Sequence, residues 1–249
     1  MAGHSKWKQI KRQKGVADQR RGALFTKLAR EITIAAKQGG ADPAGNFRLR
    51  LAIQNARDNN MPADNIQRAL SRASGSGEGG DLQEVTYEGY GPGGVAILIE
   101  TMTDNRNRTV GEIRSVLTRA GGNLGETGSV TWQFESRGVI GVGVSEKTAE
   151  EIADVAIEAG AEDFQMDDES VEVHTTPTDL ETVRQGLLDA GVEVANAELA
   201  MIAKTPIALD TKAAEQVIRL LEKIEDLDDV QRVYSNAEFS DEVLAAVGG

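Results

Sequence analysis

Residues 138–201 read GVIGVGVSEKTAEEIADVAIEAGAEDFQMDDESVEVHTTPTDLETVRQGLLDAGVEVANAELAM. The Val/Ile run over 139–144 predicts a strand, and apolar residues at helical spacing over 148–159 predict a helix. Phe164 and Met166, then Val171 and Val173, alternate as two short strands around the acidic turn Asp167-Asp168-Glu169. Residues 180–190 predict a second helix and 192–201 a last strand. The order is βαββαβ, the ferredoxin-like pattern. A metal at the acidic turn would need converging oxygen ligands, which one turn rarely supplies, so the turn reads as solvated.

The flanks are incomplete by themselves. Upstream, residues 84–90 and 95–101 predict strands joined by Gly91-Pro92-Gly93-Gly94, followed by a helix over 107–120 with Val110, Ile113, Val116, Leu117 and Ala120 inward. A Gly-rich turn at 121–128 follows. Val130, Trp132 and Phe134 then alternate as a strand, which places Trp132 in the core. Downstream of Thr205-Pro206 there are a strand at 207–209, a helix at 213–224 and a strand at 230–234. The simplest closure joins 81–134 to 205–249 as one discontinuous domain, with 135–204 inserted. Gly89, Gly91 and Gly94 match the dinucleotide spacing G-x-G-x-x-G, but that fingerprint needs a helix after the glycines. Here a strand follows, so the segment reads as a hairpin turn. The acidic run Glu225-Asp226-Leu227-Asp228-Asp229 reads as a solvated helix-to-strand turn.

Upstream of the linker SGSGEGG at 74–80 the period is helical throughout. A first helix spans 18–38, with Phe25, Leu28, Ala29, Ile32 and Ala36 on one face, Asp18 as N-cap and Gly39-Gly40 as the stop. Asp42-Pro43 opens a second helix that reaches Asp58, and Met61-Pro62 a third, running through Leu70. These make a three-helix bundle over residues 1–80. No short Gly turn separates a matched pair, so a groove-reading helix-turn-helix is a weak reading. The expected fold class is α+β: a three-helix bundle followed by two α/β sandwich domains, one ferredoxin-like and inserted in the other.

Charge is distributed unevenly. Residues 1–80 hold 15 Lys and Arg against 6 Asp and Glu, a net of +9, whereas 81–249 hold 12 against 34, a net of −22. A chain that is acidic overall has gathered its positive charge at one end, where a polyanion such as nucleic acid would be held. Residues 4–15 have no apolar stripe and predict a flexible cationic arm. Its Lys6, Lys8, Lys11, Arg12 and Lys14 suit a phosphate backbone, and Trp7 offers a face for base stacking. The charge continues onto the first helix. With Phe25 at the centre of the apolar face, Arg20, Lys27, Arg30 and Lys37 fall on the opposite side, and Arg21 falls near the edge. Arg106 and Arg108, at the start of the helix over 107–120, are candidate anion contacts, although an ordinary capped helix start with exposed arginines is the favoured reading there.

There is no cysteine, hence no disulfide, thiol nucleophile or thiolate metal site. The N-terminus lacks the apolar core of a signal peptide, and the longest apolar run, Val95 to Ile99, is too short for a membrane span. A cytoplasmic protein is expected. The two histidines, His4 and His174, form no recognisable constellation with carboxylates or a nucleophile. The expectation is therefore a binding protein with no catalytic residues, metal or small-molecule cofactor.

Several motifs resemble the YebC/PmpR family. They are Met1-Ala2-Gly3-His4-Ser5-Lys6-Trp7, Phe25-Thr26-Lys27-Leu28-Ala29-Arg30-Glu31-Ile32, Asn60-Met61-Pro62, Tyr87-Glu88-Gly89-Tyr90-Gly91-Pro92-Gly93-Gly94, Thr103-Asp104-Asn105-Arg106-Asn107-Arg108-Thr109, Gly128-Ser129-Val130 and Asp228-Asp229-Val230-Gln231. The resemblance covers almost the whole chain. It departs at Leu117, where the family pattern has Phe, and at Asn236-Ala237-Glu238-Phe239, where Phe usually follows Asn. It implies a three-domain, crescent-like protein with an inserted third domain. It also implies a regulator of gene expression that binds nucleic acid. Bacterial members are described as probable DNA-binding transcriptional regulators and have been linked to ribosomes stalled on proline-rich sequence. The mitochondrial relative is a translational activator of cytochrome c oxidase subunit I. DNA and ribosomal RNA both stay open as the partner, the ribosome included.

Overall fold

A computed structural model of the chain describes residues 18–73, 82–167, 169–240 and 243, with side chains from residue 21 onward. It divides into two compact units, residues 135–202 and the remainder of the chain. The fold is α+β with antiparallel main sheets.

The larger unit begins with α1 (Asp18–Gly39), α2 (Phe47–Asp58) and α3 (Ala63–Ala73). Leu28, Ile32 and Ala36 of α1, Leu49, Ile53 and Ala56 of α2, and Ile66 and Ala69 of α3 share one core. The second helix starts four residues later than Asp42-Pro43 predicts. Its N-cap is Asn46, whose Oδ1 accepts from Leu49 N at 3.0 Å, while Asp42 caps only a preceding turn. The buried Asn46 amide also donates to Ala35 O and Gly40 O, both at 2.8 Å. One side chain thus closes the end of α1 and opens α2. Tertiary contact decides the start of the helix, because a buried amide with all its hydrogen bonds made outranks an exposed Asp-Pro signal.

A four-stranded sheet follows, in the order β3-β1-β2-β9, from β1 (Gln83–Tyr90), β2 (Ala96–Thr103), β3 (Asn123–Leu124) and β9 (Val230–Ser235). β1 and β2 pair from Gln83↔Thr103 to Tyr90↔Ala96. The glycines between them make a hairpin turn, with Gly93 and Gly94 at φ 73° and 76°, where a side chain would be strained. The helices α4 (Arg106–Arg119) and α7 (Thr211–Glu225) share a core with this sheet. Ile97, Ile99, Ile113, Leu117, Val217, Leu221 and Val233 lie in it, all fully buried. β9 comes from the far side of the insertion and pairs with β2, Ile99 against Val233. A short parallel pair, β8 (Ile207–Ala208) with β10 (Ala237–Glu238), completes the unit.

The smaller unit is built from β4 (Phe134–Gly143), α5 (Ala149–Glu158), β5 (Asp163–Met166), β6 (Ser170–Thr175), α6 (Leu180–Asp189) and β7 (Val194–Ala203). Its strand order β5-β6-β4-β7 is the ferredoxin-like arrangement. Ile140, Val142, Ile152, Ala156, Val171, Val173, Val183 and Leu187 fill its core. Thr148 and Glu151 form a reciprocal capping box at the start of α5.

Candidate nucleic-acid interface

Of the residues expected to meet nucleic acid, Lys6, Trp7, Lys8, Lys11, Arg12 and Lys14 lie outside the described residues, as does the side chain of Arg20. Arg21 and Lys37 are exposed, towards opposite ends of α1. Lys27 and Arg30 are placed differently from the sequence expectation. Lys27 Nζ donates to Glu225 O at 2.5 Å. Arg30 donates to Asp228 O and lies 3.2 Å from Asp229 Oδ1. Both grip the α7–β9 turn. The helical-wheel reading assumed one buried face, but residues 31–36 of α1 are buried on every side of the helix. The bundle core covers one side, and the sheet module covers part of the other.

Asp229 is the hub of that contact. It is 1% exposed, so the acidic turn is not a simple solvated one. Its Oδ2 accepts from Arg108 at 2.7 Å, Thr109 Oγ1 at 2.7 Å and Thr103 Oγ1 at 3.1 Å. Burial pushes the carboxyl up, but the hydrogen bonds from Arg108, Thr109 and Thr103 and the Arg30 charge outweigh it and hold Asp229 below the usual carboxylate range. Arg108 also meets Asp104 at 2.8 Å. Its guanidinium is therefore committed within the protein rather than held out for an anion. Asn105 caps α4 through Arg108 N, and Arg106 stays exposed.

A second bridge joins the bundle to the sheet. Glu100 and Arg232 are direct cross-strand partners on β2 and β9. Arg232 lies 3.5 Å from Glu100 and 3.9 Å from Glu31 of α1. Arg48 of α2 meets Glu31 at 3.1 Å and Glu84 of β1 at 2.8 Å. The Arg48 hydrogen bond holds the Glu84 carboxyl below its ordinary value. Burial raises that of Glu100 despite the Arg232 charge. Sequence reading missed this bridge, because nothing local pairs residues 31 and 48 with 84, 100 and 232.

Glu88 organises the loop before β4. It is 5% exposed, and its carboxylate accepts from Gly128 N and Val130 N, both at 2.6 Å, and from Thr131 N at 2.9 Å. Burial pushes this carboxyl up, yet the three backbone N–H groups outweigh it and hold it low. The loop so fixed turns through a 3₁₀ segment at Thr131–Gln133 before β4 begins. That turn breaks the alternation predicted for Val130, Trp132 and Phe134. Val130 and Phe134 are buried, but Trp132 is 67% exposed, contrary to its expected place in the core. Glu88→Gln should cost about 1–3 kcal/mol, because an amide N–H₂ then faces backbone N–H donors. Chemical denaturation at pH 7 measures it. The lost contribution is one that exists above the unfolded glutamate pKa and disappears as pH falls through the depressed folded value, so the variant and parent should converge in acid.

Arg57, Arg68 and Arg72 of α2 and α3 are further exposed cations of the bundle. Among the described residues no three His, Cys, Asp or Glu side chains come together as a metal site. No described helix is long and apolar enough to cross a membrane.

Comparison with known proteins bears on both parts of the chain. Residues 5–76 match the family model of the TACO1/YebC protein N-terminal domain, and residues 82–237 that of the TACO1/YebC second and third domain. A probable transcriptional regulatory protein of Chloroflexus aurantiacus is 57% identical over 248 residues, covering 98% of each chain. One from Dehalococcoides mccartyi is 53% identical over 244 residues, covering 98% of this chain and 97% of that one. The crystal structure of a conserved hypothetical protein from Aquifex aeolicus superposes with a TM-score of 0.85 at 45% identity, covering 91% of this chain and 94% of that one. The relatives carry the name of a regulator rather than that of an enzyme.

Proposed function

Because the chain belongs to the TACO1/YebC family, we propose that it is a non-enzymatic, cytoplasmic regulator of gene expression that binds DNA through its basic N-terminal end. The observation that carries this reading is the charge division, +9 over residues 1–80 against −22 over the rest. A duplex held at the first end is repelled by the second, so binding is oriented as well as favourable. Lys27, Arg30 and Arg108 are assigned to holding the protein together. The phosphate contacts are then Lys6, Lys8, Lys11, Arg12, Lys14 and Arg20 with Arg21 and Lys37, and Trp7 stacks on a base. No cofactor or metal enters this reading.

With about six to eight such contacts, log affinity for duplex DNA should fall against log salt with a slope of about −5 to −7. Fluorescence anisotropy on a labelled duplex between 50 and 300 mM salt measures it, and a slope near zero removes the reading. Ribosomal RNA is the second partner to test. It is favoured by the want of a groove-reading helix pair in the sequence and by Trp7, since folded RNA presents unstacked bases. Retention on ribosomes in a sucrose gradient after DNase treatment selects RNA over DNA.

A further inference from the structure

The feature least explained by packing is Trp132. A tryptophan buries more apolar surface than any other side chain, yet this one is 67% exposed in a loop that is not loose. Glu88 ties down Gly128, Val130 and Thr131 on one side of it. The indole Nε1–H donates to Ser129 O at 3.0 Å, which fixes the ring and satisfies its one polar group. Lys204 N donates to Gln133 O at 2.8 Å, and Asn236 Nδ2 to Gln133 Oε1 at 3.0 Å, so two other segments hold the next residue. Lys204 Nζ donates to Trp132 O at 3.0 Å and is otherwise exposed. The result is an aromatic face presented to solvent on a rigid mount, with an ammonium group at its base.

We propose that Trp132 is a stacking platform for one unpaired nucleobase and that Lys204 takes the phosphate beside it. This rests on the nucleic-acid reading above and adds a single-strand subsite in the sheet module, where Lys204 supplies a local cation against the net negative charge of residues 81–249. Three observations favour a base over a hydrophobic peptide. Trp132 is the one exposed large hydrophobic among the described residues of the larger unit, and Ser129, Thr131 and Gln133 flank it in the chain. The buried acid that holds the loop, Glu88, already accepts from three backbone N–H donors. A flat, rigid π-face with an adjacent cation is what single-strand sites share, because every base has a π-face and every linkage a charge. Glu126 is the loop's one exposed carboxylate, and it lies six residues before the ring.

The test uses the full chain, a labelled ten-nucleotide uridine RNA and a duplex of matched charge. Trp132→Ala should weaken single-strand binding about 5- to 150-fold, the range for one stacked base, and leave duplex binding within about twofold. Trp132→Phe should restore it to within about threefold. Trp132→Ala should leave the salt slope unchanged, whereas Lys204→Gln should flatten it by about 0.7 on the single strand, one phosphate contact. In a Trp7→Phe background, the fluorescence of the remaining indole should be quenched by the RNA. The thermal midpoint of Trp132→Ala should match the parent, since the ring contributes little burial. Unchanged single-strand affinity in a folded Trp132→Ala variant overturns the platform alone. Quenching by a proline-rich peptide but not by RNA overturns it in favour of a peptide anchor. Failure of the parent protein to bind either nucleic acid overturns the proposed function as well.

Discussion

Asp229→Asn is expected to lower the unfolding free energy by about 3 kcal/mol, the cost of leaving hydrogen bonds to a buried charged group unsatisfied, since Asp229 is buried while Arg30 and Arg108 are 22% and 43% exposed. The carboxylate is 1% exposed and serves Arg108, Thr109, Thr103 and Arg30 together. Its loss removes a counter-charge from Arg30, leaves Arg108 with Asp104 alone and sets an amide N–H₂ against donors. The donors left without this acceptor belong to α1 and to the β2–α4 junction, which Asp229 holds to the α7–β9 turn. Denaturant unfolding at pH 7 should show the midpoint move down with little change in slope. The pH dependence carries the sign of a depressed acid. The stability contributed by Asp229 is complete above the unfolded aspartate pKa of about 3.9. It is lost as pH falls through the lower folded value, so the parent should lose its advantage over the variant only in strong acid. An advantage that persists undiminished through that range would mean the charge on Asp229 is not what holds the turn.

The second large effect concerns binding. Replacing Lys6, Lys8, Lys11, Arg12 and Lys14 together with Gln should reduce DNA affinity at 0.1 M salt by about three to four decades and flatten the salt slope by about 4.5, one 0.9 step per lost phosphate contact. Stability should be little affected, since the sequence of residues 4–15 has no apolar stripe to pack. Lys27→Gln with Arg30→Gln should behave in the opposite way. It removes the contacts to Glu225 O, Asp228 O and Asp229 and therefore lowers stability, while the slope changes little. Electrophoretic mobility shift and thermal unfolding on the two variants separate the roles. If the Lys27/Arg30 pair carried the slope and the arm did not, the proposed contact set would be wrong.

The distinction bears on how much of this molecule its sequence discloses. The period of the apolar residues was enough for the ferredoxin-like order, because each strand and helix there buries one face and writes its own spacing. It was enough for the β1–β2 hairpin too, because Gly93 and Gly94 adopt a backbone that side chains avoid. It failed at α2, where the start is set by Asn46 reaching back to Ala35 and Gly40. It failed again at Trp132, where residues 130 and 134 carry the alternation of a strand across a 3₁₀ turn that Glu88 pins from 40 residues away.

The chain's own order of residues settled the element types, the ferredoxin-like unit and the concentration of positive charge at one end, since periodicity and charge are local quantities. Which cations hold the protein together was settled only by folding. Arg30, Arg48 and Arg108 are spent on Asp229, Glu31 and Glu84. Those pairs bring together residues tens to nearly two hundred positions apart, and an ion pair depends on distance in space, which no spacing along the chain records.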